Sequence, residues 1–82
     1  FRLFTQAANL GDGQSQFNLG VFHRDGRGAP PDPTASFVWF LLAERAKIPQ
    51  AAARADSMRQ LLSPAQLAEA QRQLAQWSPR TP

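Results

Sequence analysis

Few side chains in this sequence could carry out catalysis or bind a metal ion. His23 is the single histidine, and the chain has no cysteine. A metal site requires several His, Cys or carboxylate ligands that converge on one point, and the sequence shows no ligand spacing of that kind. We therefore interpret His23 as a packed substitute for an aromatic residue, and we predict no metal ligand.

The acidic residues give no sign of an active site either. General acid–base catalysis needs two carboxyl groups in one pocket, with pKa values shifted apart. No spacing brings two of them together, and Asp12 and Asp32 stand where they would cap helices. We therefore predict no catalytic residue and no cofactor. The full set comprises Asp12, Asp25, Asp32, Glu44, Asp56 and Glu69.

A glycine-rich segment between Asp25 and Asp32 contains a Gly-x-Gly pattern at Gly26 and Gly28. A phosphate-binding loop would need a Gly-Lys-Ser/Thr motif at the start of the next helix, and that motif is absent from the sequence. We interpret the segment as a turn in which both glycines take positive φ and the prolines stiffen the exit.

The basic residues are scattered along the chain. The chain has nine Lys and Arg and six Asp and Glu, which gives a net charge of +3. The basic residues form no run that would indicate a nucleic-acid surface. A helix-turn-helix reader at 50–60 would use Arg54 and Arg59, yet Asp56 and several alanines favour a solvated face. We expect no nucleic-acid partner. No apolar stretch approaches the roughly 20 residues that span a bilayer, so we expect no membrane insertion by this segment.

Breaker residues divide the chain into five predicted helices. Gly11 to Gly13, Asp25 to Pro33 and Pro49 form the strong breaks, and Pro64 marks a tighter turn. Between them Ala, Leu, Gln, Glu and Arg dominate, and these residues favour helices. We predict helices at about 1–9, 13–24, 33–46, 49–62 and 64–77, followed by a frayed tail at 78–82.

Local motifs predict where three of these helices begin. Asp12 is placed to cap the second helix, and Asp32 to cap the third, with Pro33 as its first residue. Ser63 and Gln66 have the spacing of a capping box for the fifth helix.

The sequence repeats weakly at an offset of 36 residues. Phe1 then falls on Phe37, and Phe4 falls on Phe40. This offset lies within the length range of two-helix solenoid repeats.

Three segments carry a resemblance to a known family: AANLGDGQSQFNLGVF at 7–22, GRGAP at 26–30 and SFVWFLLA at 36–43. Together they resemble the Sel1-like repeat family, whose tetratricopeptide-like repeats are antiparallel helical pairs. The resemblance implies an all-α fold, an α-solenoid of five helices that includes a C-terminal capping helix. It implies a non-catalytic domain that binds proteins, at the C-terminal end of an array.

The resemblance also implies a division of the chain. We predict one domain at 1–77, with the second helix of a preceding repeat at 1–10 and a full repeat at 11–47. A degenerate repeat at 48–62 follows, because Ala55 and Asp56 stand where the pattern has Leu-Gly. The capping helix spans 63–77. Gly20 in mid-helix predicts close approach of the partner helix.

A concave groove is implied by similarity to tetratricopeptide repeats. Gln14, Phe17, Val21 and Arg24 are spaced to share one helical face there, and Gln50 with Ala53 would continue it. We predict that these residues bind a protein or peptide. In the alternative interpretation Phe17 is a core residue and the others are merely solvated.

Three functions remain open from the sequence. We favour a scaffold or adaptor within a larger bacterial protein, in contact with neighbouring repeats or domains of the same chain. The alternatives are a structural spacer that positions an enzymatic or peptidoglycan-binding domain, and a nucleic-acid-binding helix-turn-helix. Because the chain begins with Phe1, we expect a piece of a longer protein. The resemblance fits either the periplasm or the cytoplasm, with a preference for the periplasm.

Overall fold

Four α-helices form the part of the chain that the structure, a computed structural model, describes, namely residues 11–26 and 31–77. They are α1 (Gly13–Asp25), α2 (Pro33–Arg45), α3 (Ala51–Leu61) and α4 (Pro64–Gln76). These residues contain no strand, so the all-α prediction is confirmed. The predicted helix at 1–9, the loop residues 27–30 and the tail 78–82 lie outside the described residues.

The predicted helix starts follow from side-chain caps. The Asp12 carboxylate accepts a hydrogen bond from the backbone N–H of Ser15 at 2.8 Å, at the start of α1. Asp32 caps α2 in the same way. At α4 the full capping box is present, because Ser63 and Gln66 exchange side-chain-to-backbone hydrogen bonds of 3.2 and 2.9 Å. These contacts satisfy N–H groups that have no partner within the helix.

The start of α3 corrects the sequence prediction. We expected this helix to begin at Pro49, but it begins at Ala51. Lys47 and Gln50 have φ values of 62° and 71°, in the left-handed region, and the backbone N–H of Ala51 bonds to the carbonyl of Ile48 at 3.2 Å. The chain therefore completes its reversal after α2 before a helical conformation can resume. All other predicted ends in the described residues lie within one residue of the observed ones.

Helix α2 lies at the centre and packs against α1, α3 and α4. Its residues from Phe37 to Ala43 are all apolar, and Phe37, Phe40 and Ala43 are fully buried. An apolar helix of this kind must be covered on several sides. The three other helices provide that cover.

Helix α4 contributes the predicted apolar stripe. Ala70 and Leu74 are buried, and Leu67 and Trp77 are partly buried against the same core. The spacing of three, four and three residues thus places one face of α4 on the core. Its role as the terminal cap of the stack stays a prediction.

The closest contact between helices occurs at Gly20. A methyl group built there would lie 2.6 Å from Cε1 of Phe40, which is closer than packed carbons approach. The hydroxyl of Ser36 donates a buried hydrogen bond of 2.6 Å to the carbonyl oxygen of Gly20. The predicted close approach at this glycine is therefore confirmed.

We predict that Gly20→Ala lowers the free energy of unfolding by about 1–3 kcal/mol, because the added carbon overpacks against Phe40. The sign of the change in the free energy of unfolding distinguishes the two effects, since helix propensity alone would raise it by about 1 kcal/mol. Urea denaturation measures the difference. The double variant Gly20→Ala with Phe40→Leu should show favourable coupling between the two sites, and a more stable single variant would contradict the close contact.

We predict that Ser63→Ala costs about 1 kcal/mol, because α4 then loses its side-chain cap. Ser57→Ala is the matched control, since Ser57 is exposed within α3 and its hydroxyl bonds to the carbonyl of Ala53 four residues earlier. That change should stay within about 0.5 kcal/mol. Equal losses in urea denaturation would show that the capping box contributes nothing particular.

Candidate functional site

The predicted binding residues on α1 form what we call the α1 strip: Gln14, Phe17, Val21 and Arg24. Phe17 and Val21 are half-buried and pack against the core, Arg24 is half-buried, and Gln14 is exposed. The strip therefore has an apolar middle and a polar group at each end. That pattern follows directly from the spacing of the four residues along one helix.

Phe17 belongs partly to the core. Its ring centroid lies 5.4 Å from that of Phe40, with the rings inclined at 59°, which is a favourable tilted arrangement. The ring thus forms the floor of the α1 strip and also supports the α1–α2 interface. The two interpretations of Phe17 therefore overlap, and a change at this residue alone would alter packing.

The polar ends of the strip make weak local contacts. The side-chain amide of Gln14 donates to Oδ1 of Asn18 at 3.3 Å. Arg24 donates from Nε to Oδ1 of Asp25 at 2.9 Å and from Nη2 to Oδ2 at 3.4 Å. The side chains of this ion pair are each 34% exposed. Exposed pairs stabilise a protein by roughly 0–1 kcal/mol, so a ligand carboxylate can compete for Arg24 at low cost.

Gln50 lies in the turn before α3. It is exposed, its φ is 71°, and its side chain makes no capping hydrogen bond to α3. Ala53 is exposed one turn later. Because α3 packs mainly on α2, the continuation of the α1 strip into Gln50 stays a prediction.

His23 is half-buried near the end of α1. Its backbone carbonyl accepts a hydrogen bond of 2.8 Å from the N–H of Asp32, which ties the start of α2 to α1. Gly26, with φ of 74°, ends α1 through a hydrogen bond from its backbone N–H to the carbonyl of Phe22.

In residues 11–26 and 31–77 no group of His, Cys, Asp and Glu is arranged to hold a metal ion. Within the same residues, no helix has the length and apolar character needed to cross a membrane.

Two adjoining clefts were not foreseen from the sequence. A cleft of about 320 Å³ is lined by Leu41, Glu44, Arg45, Gln71 and Leu74. A smaller cleft of about 180 Å³ is lined by Gly11, Gln16, Leu42, Arg45, Ala46 and Trp77. Arg45 belongs to both. The lining residues are far apart in sequence. The only part of either cleft that the sequence indicated is the apolar stripe of α4, whose last residue, Trp77, lines the smaller cleft.

The family model of the Sel1 repeat matches residues 1–12 and 13–47. The chain belongs to the Sel1 repeat family. In the described residues the match covers α1, α2 and the turn that starts the reversal towards α3. Sel1 repeats mediate protein–protein interactions. No curated protein matches this chain, and no solved structure matches it.

The cap of α1 should make stability depend on pH. Hydrogen bonds from the Ser15 hydroxyl and the Ser15 backbone N–H lower the pKa of Asp12 below its ordinary value of 3.8. A carboxyl whose pKa is lower in the folded state stabilises the protein above its unfolded pKa, and this contribution is lost as the pH falls through the folded value.

We therefore predict that Asp12→Asn lowers the free energy of unfolding at neutral pH. The difference in this free energy between variant and wild type should shrink as the pH falls below 3.8. Asparagine keeps a capping oxygen and removes only the charge. Urea denaturation at several pH values measures this, and Ser15→Ala should reduce the pH dependence in part. A difference that is constant with pH would contradict the assignment to Asp12.

Proposed function

We propose that this chain is a non-catalytic scaffold or adaptor segment that binds a protein or peptide on the α1 strip. The proposal is supported by membership of the Sel1 repeat family, whose repeats mediate protein–protein interactions. The observation that carries the choice of surface is the pair Phe17 and Val21, which are half-buried and yet remain partly open to solvent.

The chemistry of the strip fits a peptide ligand. Phe17 and Val21 lie one turn apart and offer an apolar surface for one ligand side chain. Gln14 can exchange hydrogen bonds with a ligand backbone, and Arg24 can leave its exposed pair with Asp25 for a ligand carboxylate. Gln50 would extend the contact if the ligand continues towards α3.

The rigidity of the strip favours binding. Phe17 is held against Phe40, and α1 is held to α2 by the buried bond from Ser36 to Gly20. A side chain that is already ordered loses less conformational entropy when it binds. The adaptor role within a larger, bacterial protein is part of the same proposal.

We predict that Gln14→Glu with Arg24→Glu weakens peptide binding by about tenfold or more, because both polar ends of the strip are lost. A peptide selected on the wild-type chain from a random displayed library serves as the probe, and fluorescence anisotropy gives Kd. This double variant leaves Phe17 in place, so the α1–α2 packing is preserved. Phe17→Ala with Arg24→Glu is the stronger variant, and its urea midpoint must be compared first.

The matched control is Gln60→Glu with Arg72→Glu. Both residues are exposed, on α3 and α4, and the change in net charge is the same. Binding to this control should stay within about twofold of the wild type. If both double variants bind the selected peptide alike, the peptide occupies another surface and the α1 strip is not the binding site. If selection yields no peptide, the spacer interpretation is favoured.

A further inference from the structure

The basic side chains of the described residues fall into two groups. Three arginines are paired with acids on their own helix: Arg24 with Asp25, Arg59 with Asp56 and Arg72 with Glu69. Arg59 also lies over the ring of Phe37, with its guanidinium 5.4 Å from the centroid. The other three cations, Arg45, Lys47 and Arg54, form no ion pair within 11–26 and 31–77.

The three unpaired cations lie at one end of the helical bundle. Arg45 is the last residue of α2, Lys47 lies in the turn, and Arg54 is in the first turn of α3. The reversal between α2 and α3 places all three at the same end. We call Arg45, Lys47 and Arg54 the basic end.

Two carboxylates lie at this end and neither neutralises the cations. Asp12 is held by its hydrogen bond to the Ser15 N–H, and the start of α1 reaches the turn, since a methyl group built at Gly13 would lie 2.6 Å from Cβ of Ala46. Glu44 lines the larger cleft together with Arg45, but no ion pair joins the two side chains. An excess of positive charge therefore remains around Arg45.

The smaller cleft opens beside this charge. Its volume of about 180 Å³ is suited to one side chain, and Leu42, Ala46 and Trp77 give it apolar walls. Arg45 stands between this cleft and the larger one, where Leu41 and Leu74 supply further apolar surface. Arg45 thus stands between a mainly apolar cleft and a cleft of mixed lining, an arrangement that matches a ligand carboxylate flanked by aliphatic side chains.

We propose that the basic end and its two clefts bind an acidic peptide segment with aliphatic side chains. A glutamate or aspartate of the segment pairs with Arg45, an aliphatic side chain enters the smaller cleft against Trp77, and further acids face Lys47 and Arg54. The basic end and the α1 strip share no residue, and a peptide can bind at the basic end when the α1 strip is empty.

The apolar walls favour a peptide over a nucleic acid. A nucleic-acid site depends on many phosphate contacts, whereas this end offers three cations. Base stacking on Trp77 would need an open ring face, but the indole is partly buried against the core and its Nε1 is inaccessible to solvent. Salt-sensitive binding that also requires aliphatic side chains is the expected signature.

The test uses a fluorescein-labelled peptide in which a pair of leucines is flanked by glutamates. Arg45→Gln with Arg54→Gln removes two of the proposed charge contacts and should weaken binding by about tenfold or more, since the loss of one charge-assisted contact already corresponds to about tenfold. Arg59→Gln with Arg72→Gln lowers the net charge equally and is the matched control, with an expected change within about twofold. In a Trp39→Phe background, the emission of Trp77 should shift when the peptide binds.

Several outcomes would overturn the proposal. These are equal weakening in both double variants, equal affinity for a peptide with serines in place of the leucines, and equal affinity for an oligothymidylate of the same charge. Absence of saturable binding at low salt, or an unchanged Trp77 emission, would do so as well. Arg24→Gln, which lowers the net charge by only one at the far end of α1, should leave this binding within about twofold, and this separates the basic end from the α1 strip.

Discussion

Helix α2 must be buried, because all its residues from Phe37 to Ala43 are apolar. Its central residues are apolar on every side, so the helix is stable only when neighbours cover it. Helix α1 can come close enough because Gly20 has no side chain facing Phe40. Ser36 then uses the same close approach to satisfy its hydroxyl on a backbone carbonyl. The absence of a side chain at Gly20 therefore allows both the close packing of α1 on α2 and the hydrogen bond of the buried Ser36 hydroxyl.

The central position of α2 also determines what the surface can offer. Helix α1 covers one side of α2 and leaves Phe17 and Val21 half-open, which creates the α1 strip. Helix α4 covers another side, and its end at Trp77 completes the smaller cleft. No charged side chain is buried in residues 11–26 and 31–77. Both proposed binding surfaces therefore form where amphipathic helices cover the apolar helix α2.

Local chemistry made much of the fold predictable. The side chains of Asp12, Asp32 and Ser63 act within three residues, so their capping roles are readable from the sequence. The start of α3 was predicted wrongly at Pro49, because the left-handed conformation of Gln50 depends on the whole reversal and has no glycine to signal it. The cleft around Arg45 joins residues from Gly11 to Trp77, and no local pattern can bring such distant positions together.

The start of α3 has a consequence for how the fold moves. This helix follows a strained turn, its first N–H groups receive no side-chain cap, and Ala51, Ala55 and Met58 are its buried residues. Two of these are alanines, which contribute little apolar area. The start of α3 is therefore expected to open locally at a lower free-energy cost than the centre of α2, where Phe37, Phe40 and Ala43 are fully buried. Local opening of this turn would expose the backbone beside the basic end and leave the contact between α1 and α2 at Gly20 intact.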